Sequence, residues 1–165
     1  MSIEHERIPN DASDFGLDQL VREVVALARS QMTVRGCTLR VAMNDPVTIH
    51  GNRSMLAMML LNVILNAADA THGRGRIDVR LRRNDGEAIL EVHDDGPGVP
   101  AERRDSTFAA FYSSKAHGAG LGSLTVKVSA EEHGGTISGL DSELGGACFR
   151  VALPCERQLA PDALA

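Results

Sequence analysis

The apolar positions of the chain predict one helix with apolar residues at helical spacing and one that is apolar on nearly every side. The first helix begins near Phe15, where leucine, valine and alanine recur every three or four residues. Asp14 or Asp18 can cap this helix and Gly36 can stop it. The second covers residues 53–71, whose run SMLAMMLLNVILNAADA is apolar on nearly every side. A helix apolar all round is typical of a domain core, so we expect it to be buried.

Shorter segments predict a third helix and six strands. The helix extends from about Leu121 to His133, before two glycines. The strands fall into three pairs: residues 38–42 with 47–50 as a hairpin or two adjacent strands, residues 77–81 with 88–92 around an Asp-Gly turn, and residues 136–139 with 147–153 around a Gly-Gly turn. Three helices interleaved with these pairs predict an α/β (α+β) fold, a two-layer sandwich in which a mixed sheet carries the helices on one face.

Length and polarity predict one domain with two polar ends. A chain of 165 residues with 43% hydrophobic side chains fits one compact unit. Residues 1–14 are polar and predict a linker or arm, residues 15–154 form the domain, and residues 155–165 form a tail. Because no run reaches the ~18 apolar residues of a membrane helix, we expect no membrane contact by this domain.

Composition argues against two classes of site. Four Phe, one Tyr and no Trp, with a net charge of −5, leave neither an aromatic stacking platform nor a basic stripe, so no nucleic-acid partner is expected. Cys37, Cys148 and Cys155 are far apart and have no histidine at ligand spacing. We therefore expect reduced cysteines in the cytosol, without a disulfide framework or a zinc site.

Two asparagines interrupt the apolar second helix. Asn62 and Asn66 are four residues apart and project from one face. Buried amides need partners. Neighbouring backbone groups are one possibility, and the other is Mg²⁺, which takes neutral oxygen ligands and its remaining ligands from water and phosphates.

Asp94 ends the strand VHDD and precedes the bend that contains Gly96 and Gly98. Such a junction is often only a turn. A carboxylate there can also accept a hydrogen bond from the exocyclic amine of adenine, and it would repel guanine, which has an oxygen at that position. Nearby His93 and His117 are expected to be solvated polar residues.

The segment Gly118-Ala119-Gly120-Leu121-Gly122-Ser123 stands directly before the third helix. Alternating glycines at a helix start can direct backbone N–H groups at phosphate oxygens. The segment is not a Walker A loop, because no GK[ST] follows. Residues 94–120 are glycine-rich and too long for an ordinary connection, so a functional loop is expected.

Taken in order, these segments resemble the N, G1, F and G2 boxes of the GHKL ATPase superfamily. LLNVILNAADAT, VHDDGPGVP, FAAFYSSK and GAGLGSLTVKVSAEEHGGTI are similar to NLLxNAxDAT, VxDxGxGIP, FxPFYTTK and GTGLGLxxxxxIxxxHGGxI of its sensor histidine kinases. The resemblance extends over residues 15–154 and is greatest to the nitrogen-regulation subtype. It implies the Bergerat form of the sandwich, with a mostly antiparallel sheet.

The same resemblance implies a site for ATP and Mg²⁺. It assigns Asn66 to Mg²⁺, Asn62 to the phosphates, Asp94 to the adenine amine and Lys115 to a mobile lid. The implied nucleotide-binding set is completed by Asp69, Gly96, Gly98, Val99, Gly118, Ala119, Gly120, Leu121 and Gly122. Departures from the family pattern occur at Asn52, Ala110, Ser123 and Ala147.

The resemblance also implies what the chain does and what it needs. Related ATPases that hydrolyse ATP have a glutamate base where Asn62 stands, and an amide cannot take that proton. The implied activity is a protein-histidine kinase that donates the γ-phosphoryl group to a histidine-bearing dimerisation domain, in cis or in trans, outside these residues, with a response regulator downstream. The alternatives are a serine kinase of the anti-sigma-factor type and a nucleotide-binding pseudokinase. The implied location is cytoplasmic, although the full-length protein could be anchored in a membrane.

Overall fold

A computed structural model describes residues 12–31, 34–98 and 120–155, with side chains of the last range from residue 126 onward. In chain order the elements are β1 (Ala12–Gly16), α1 (Leu17–Arg29), β2 (Thr38–Met43), β3 (Thr48–Asn52), α2 (Arg53–Ala70), β4 (Arg76–Asn84), β5 (Glu87–Asp94), α3 (Gly120–Glu132), β6 (Thr136–Asp141) and β7 (Ala147–Pro154). Within these ranges, none of the helices combines the length and the hydropathy that a bilayer crossing demands.

Five strands form one mixed sheet in the order β2-β4-β5-β7-β6. β2 runs parallel to β4, and the other neighbours are antiparallel. The β4–β5 hairpin turns at Asp85, whose φ of 54° lies in the left-handed region that Asp and Asn enter at small cost. The predicted two-layer sandwich with a mostly antiparallel sheet is confirmed.

The predicted pairing of residues 38–42 with 47–50 is wrong. β2 lies at the edge of the five-stranded sheet, whereas β3 pairs with β1 in a separate two-stranded sheet. Phe15 of β1 stands opposite Ile49 of β3. Residues 12–14, assigned to the polar arm by the sequence, are therefore part of a strand. Their pairing partner lies more than thirty residues away, where a local polarity pattern gives no sign of it.

The first helix is shorter than predicted and starts differently. α1 ends at Arg29, and Ser30 follows it as the C-cap, well before Gly36. Gly16 occupies the N-cap position, and no side chain caps the helix there. Asp18 instead accepts a hydrogen bond from the Val47 backbone N–H at 3.3 Å. This aspartate ties α1 to the chain entering β3.

The apolar helix α2 is central to the core, as its sequence predicts. It packs between α1 and α3 and against the sheet. The Asn52 side chain caps it by accepting from the Met55 N–H at 3.1 Å. Its most buried side chains are Leu56, Met59, Leu60, Val63, Ile64 and Ala68.

The strand β5 has faces of opposite character. Leu90 and Val92 join the core under the helices. Glu91 and His93 alternate with them and lie on the opposite face, although both are also buried. Because Asp94 follows His93, its side chain returns to the helix face at the point where the strand ends.

Candidate functional site

Asp94 is a buried carboxylate held by backbone donors. Its side chain is on the helix face at the end of β5, and the residue is 6% exposed. Oδ1 accepts hydrogen bonds from the Gly96 N–H at 2.9 Å and the Ala147 N–H at 3.2 Å. The Asp94 carbonyl accepts from the Gly146 N–H at 3.1 Å. Asp94 Oδ1 is thus hydrogen-bonded both to the bend after β5 and to the start of β7.

The electrostatic setting of Asp94 favours an added hydrogen-bond donor. Burial raises the pKa of Asp94, and the bonds from Gly96 and Ala147 offset that only in part. The neighbouring Asp95 carboxylate raises the pKa further. No cation pairs with Asp94 among the residues that the structure describes. A donor brought to Oδ2 by a ligand would therefore relieve a buried charge.

Two glycines, Gly146 and Gly96, allow the backbone to close around Asp94, and Gly98 follows in the same bend. A Cβ at position 146 would overlap Asp94 Oδ1, the Asp94 carbonyl oxygen and the Gly96 nitrogen. A Cβ at position 96 would stand 2.8 Å from the Ala70 carbonyl oxygen, which belongs to the last turn of α2. Gly98 adopts a φ of +73°. Gly96 and Gly98 were predicted as site residues, whereas Gly146 was predicted only as part of a turn.

Asn66 and Asp69 lie toward the end of α2 that abuts the bend after Asp94, whereas Asn62 lies near the middle of the helix. Asn62 and Asn66 are half-buried and Asp69 is exposed. Asn66 precedes Ala70 by about one helical turn, and Ala70 is the residue that abuts Gly96. The donor set is chemically suited to Mg²⁺, because neutral amide oxygens are hard ligands that leave coordination positions to water and phosphate.

α2 and α3 run in opposite directions, so the glycine-rich start of α3 is directed toward the Asn66 end of α2. His133 Nδ1–H donates to the Ser129 carbonyl at 2.6 Å, which leaves Nε2 to accept from the Asn52 N–H at 2.9 Å. The end of α3 is thereby bonded to the start of α2. The structure confirms a helix start at Gly120, one residue before the prediction.

Not every predicted site residue falls in the described ranges. Gly120, Leu121 and Gly122 form the first turn of α3. Val99, Lys115, Gly118, Ala119 and His117 lie outside the described residues. The structure thus places the bend after Asp94 against the last turn of α2, and the opposite directions of α2 and α3 direct the start of α3 toward that end of α2.

The adjacent carboxylates Asp94 and Asp95 have different neighbours. Asp95 is exposed, and its Oδ1 accepts from the Arg76 N–H at 2.9 Å. A Cβ at Gly75 would overlap that oxygen. Asp95 therefore fastens the bend after β5 to the start of β4, whereas Asp94 lies on the helix face of the sheet.

The chain matches one family model and is similar to two histidine kinases. Residues 51–157 match the family model "Histidine kinase-, DNA gyrase B-, and HSP90-like ATPase". The chain is similar to the sensor histidine kinase ZraS of Escherichia coli strain K12, 32% identical over 139 residues that make up 84% of this chain and 30% of ZraS. It is also similar to the sensory histidine kinase/phosphatase NtrB of Rhodobacter capsulatus, 38% identical over 117 residues, 63% of this chain and 33% of NtrB.

The fold is similar to that of a solved catalytic domain. The catalytic domain of the histidine kinase ThkA superposes with a TM-score of 0.76 and 26% identity, covering 87% of this chain and 95% of the ThkA chain. Another structure of ThkA holds it in complex with the response regulator protein TrrA. This chain spans only about a third of the length of the curated relatives, so it corresponds to one portion of those proteins.

Proposed function

Because this chain belongs to the histidine kinase-, DNA gyrase B- and HSP90-like ATPase family, we propose that it binds Mg·ATP and donates the γ-phosphoryl group to a histidine outside these residues. The phosphoacceptor would lie on a dimerisation domain, in cis or in trans, and a response regulator would receive the group next. Sensor kinases among the relatives and the ThkA–TrrA complex support this assignment. The match to NtrB supports a nitrogen-regulation-like subtype.

The observation that carries the nucleotide assignment is the setting of Asp94. Its Oδ1 is held by the Gly96 and Ala147 backbone, and Oδ2 remains for a ligand donor such as the adenine amine. A hydrogen bond to a charged group contributes about 1.5–3 kcal/mol, or roughly ten- to a hundred-fold in affinity. Guanine would present an acceptor to this acceptor, so the site selects adenine by repulsion as well as attraction.

We assign the triphosphate to the α2 asparagines and the start of α3. Asn66 would hold Mg²⁺, and Asn62 would contact the phosphates. Mg²⁺ held there would neutralise phosphate charge. The backbone N–H groups at the start of α3, from Gly120 to Gly122, have no helical partners and can donate to phosphate oxygens.

Asn62 favours transfer over hydrolysis. Its amide cannot accept a proton at neutral pH, so it would leave a water molecule unactivated. Transfer needs no base on this chain: a histidine ring nitrogen bonds to the γ-phosphorus as the bond to the bridging oxygen breaks, and ADP leaves with that oxygen. The domain's part is to position the nucleotide and to stabilise its charge.

Calorimetric titration with Mg·ATP and Mg·GTP tests the nucleotide assignment. We expect micromolar or weaker binding of ATP and at least roughly ten-fold weaker binding of GTP, since the guanine oxygen faces Asp94. Equal affinity for the two nucleotides, or no affinity for either, would contradict the assignment.

A phosphotransfer assay tests the activity. Labelled ATP is mixed with this chain and a separately expressed hairpin that carries the histidine, and a His→Ala hairpin serves as the control. Label on the histidine-bearing hairpin alone supports a histidine kinase. Nucleotide binding without label would identify a regulatory nucleotide binder, and label on a serine would favour the anti-sigma-factor type.

A further inference from the structure

A buried cluster of three potential metal ligands lies on the face of the sheet opposite the Asp94 side chain. Glu91 and His93 are two residues apart on β5 and share that face. The β5–β7 register places Cys148 directly opposite His93. The donor atoms Glu91 Oε1, His93 Nε2 and Cys148 Sγ lie within 4.8 Å of one another. We call these three residues the Glu-His-Cys cluster.

Two of the three donor separations in the cluster match those around a tetrahedral ion. His93 Nε2 is 3.2 Å from Glu91 Oε1 and 3.5 Å from Cys148 Sγ. Zinc bonds of about 2.0–2.1 Å to nitrogen or oxygen and about 2.3 Å to sulfur require donor separations of about 3.3 Å for N–O and about 3.6 Å for N–S at tetrahedral angles. His93 Nε2 is therefore near the required distance from both other donors, whereas Glu91 Oε1 and Cys148 Sγ, which lie within 4.8 Å of each other, would have to reach about 3.6 Å.

Surrounding groups orient the donors. His93 Nδ1 is 2.8 Å from Ser142 Oγ, which also accepts from the Leu144 N–H at 3.0 Å. When Nδ1–H donates to Ser142, the Nε2 lone pair faces the centre of the cluster. Arg150 Nε donates to Glu91 Oε2 at 2.7 Å, so Oε1 is the oxygen left for the cluster. A second partner on each ligand is a regular feature of protein metal sites.

We propose that Glu91, His93 and Cys148 form a site for one borderline-soft divalent transition ion of the zinc class, with water as the fourth ligand. Thiolate sulfur and imidazole nitrogen select such ions over Mg²⁺, which prefers oxygen. A divalent ion with one thiolate and one carboxylate is electrically neutral, and Arg150 is already paired with Glu91. The site is distinct from the Mg²⁺ position on α2, which lies on the other side of the sheet.

Binding would release a proton from the cysteine. Burial raises the pKa of the Cys148 thiol to about 12, and the Glu91 charge acts in the same direction against Arg150 and Arg80. Because a cysteine binds a metal ion as its thiolate, binding would release the thiol proton, and affinity for the ion should rise with pH.

Titration of the untagged 165-residue chain with Co²⁺, without nucleotide, tests the site. We expect one equivalent to bind, with a thiolate-to-cobalt charge-transfer band and the visible absorption of tetrahedral cobalt, both removed by Zn²⁺. Cys148→Ala should abolish the charge-transfer band, whereas the matched thiol controls Cys37→Ala and Cys155→Ala should keep it. Ser142→Ala should weaken binding roughly ten- to a hundred-fold, because it releases the imidazole.

The wild-type protein provides a test that does not depend on a folded variant. X-ray absorption at the zinc edge should show one sulfur at about 2.3 Å and nitrogen or oxygen neighbours at about 2.0–2.1 Å. No sulfur neighbour, or a cobalt–thiolate band that persists in Cys148→Ala, would overturn the proposal. Absence of any one-equivalent binding to the wild-type chain in mildly alkaline buffer would also overturn it.

Discussion

Asp94 and Glu91 are buried carboxylates on the same strand, yet they belong to opposite faces and have opposite electrostatic settings. Glu91 accepts from Arg150 and lies 3.2 Å from His93, on the face away from the helices. Asp94 accepts only backbone N–H groups among its described contacts, on the face under the helices. Glu91 and Asp94 are thus three residues apart on β5, yet among the described residues Glu91 is paired with a cation and Asp94 is not.

The two pKa values shift in opposite directions. Burial would raise the pKa of Glu91, but hydrogen bonds with His93 and Arg150 outweigh it, so the pKa is lowered. Burial dominates at Asp94 and its pKa is raised. Glu91 therefore stabilises the folded state as an anion. The charge on Asp94 destabilises the folded state, and a hydrogen bond from a ligand donor can offset that cost. Perturbed groups of the second kind are typical of functional sites.

Asp94→Asn should have the largest effect and should separate binding from folding. The amide oxygen can still accept from Gly96 and Ala147, but its NH₂ group would face the adenine amine donor. We expect affinity for Mg·ATP to fall roughly ten- to a hundred-fold, with the urea midpoint of the free domain unchanged or higher. Asp95→Asn is the matched control, since it keeps the acceptor for Arg76 and should preserve affinity. Equal losses in the two variants would contradict the role of Asp94.

Gly146→Ala should damage both folding and binding. The added methyl group would overlap Asp94 Oδ1 and two backbone atoms, so β7 must move away from the end of β5. We expect a loss of about 1–3 kcal/mol in the free energy of unfolding, as for other overpacked sites, together with weaker nucleotide binding. Chemical denaturation and calorimetry measure the two losses. Unchanged nucleotide affinity would show that the β7 start does not shape the pocket.

Glu91→Gln should affect stability and spare nucleotide affinity. The substitution removes the anion that pairs with Arg150. Because the Arg150 side chain is 37% exposed, solvent screens the pair, and we expect a loss of about 1–2 kcal/mol in the free energy of unfolding, less than for a fully buried pair. Glu143→Gln is the control, because Glu143 pairs with Arg80 at an exposed position and should cost less than about 1 kcal/mol. Urea denaturation measures both. Equal costs would mean that the burial of Glu91 adds nothing.

The smallest expected effect is a difference between the pH at which nucleotide binding weakens and the lower pH at which the domain unfolds. Because the folded-state pKa of Asp94 is raised, its protonation begins above the ordinary aspartate range, removes the acceptor for adenine and favours the free fold. Arg76 and Arg80 outweigh burial and lower the pKa of Asp78, as His93 and Arg150 do for Glu91. The stability from these two carboxylates is present above their unfolded pKa values and is lost as pH falls through the lowered folded ones.

We therefore expect nucleotide binding to weaken at a higher pH than unfolding. Calorimetry and circular dichroism over the same acid range measure the two curves, and Asp94→Asn reports any part of the binding change that comes from phosphate protonation. Coincident curves would contradict the opposite shifts of Asp94 and Glu91.

Local patterns in the sequence predicted much of the fold. The core helix α2 and the β4–β5 hairpin follow from runs of apolar residues and from an Asp-Gly turn, which act over a few residues. The boxes that carry Asn66, Asp94 and Gly120 were also visible in the sequence, and in the structure the bend after Asp94 abuts the last turn of α2. Their roles as ligands stay predictions that the experiments above test.

Features that depend on distant partners were missed. β2 and β3 are neighbours in sequence but pair with β4 and β1, because a parallel pair such as β2–β4 needs a crossover connection, which here contains β3 and α2. His93 was expected to be solvated, yet it is buried and contacts Ser142, which follows β6, and Cys148 of β7. The sequence predicted Gly146 only as part of a turn, because its close approach to Asp94 arises only when β5 and β7 pair in the sheet.

The sequence by itself determined which residue types stand at the end of β5, and the tertiary structure decided what each one faces. Alternation along a strand places Glu91 and Asp94 on opposite faces. Only the register with β7 brings Arg150 to Glu91 and the backbone of Ala147 to Asp94. Charge and burial are set by such neighbours, so the same chemical group stabilises the fold at one position and is left for a ligand at the other.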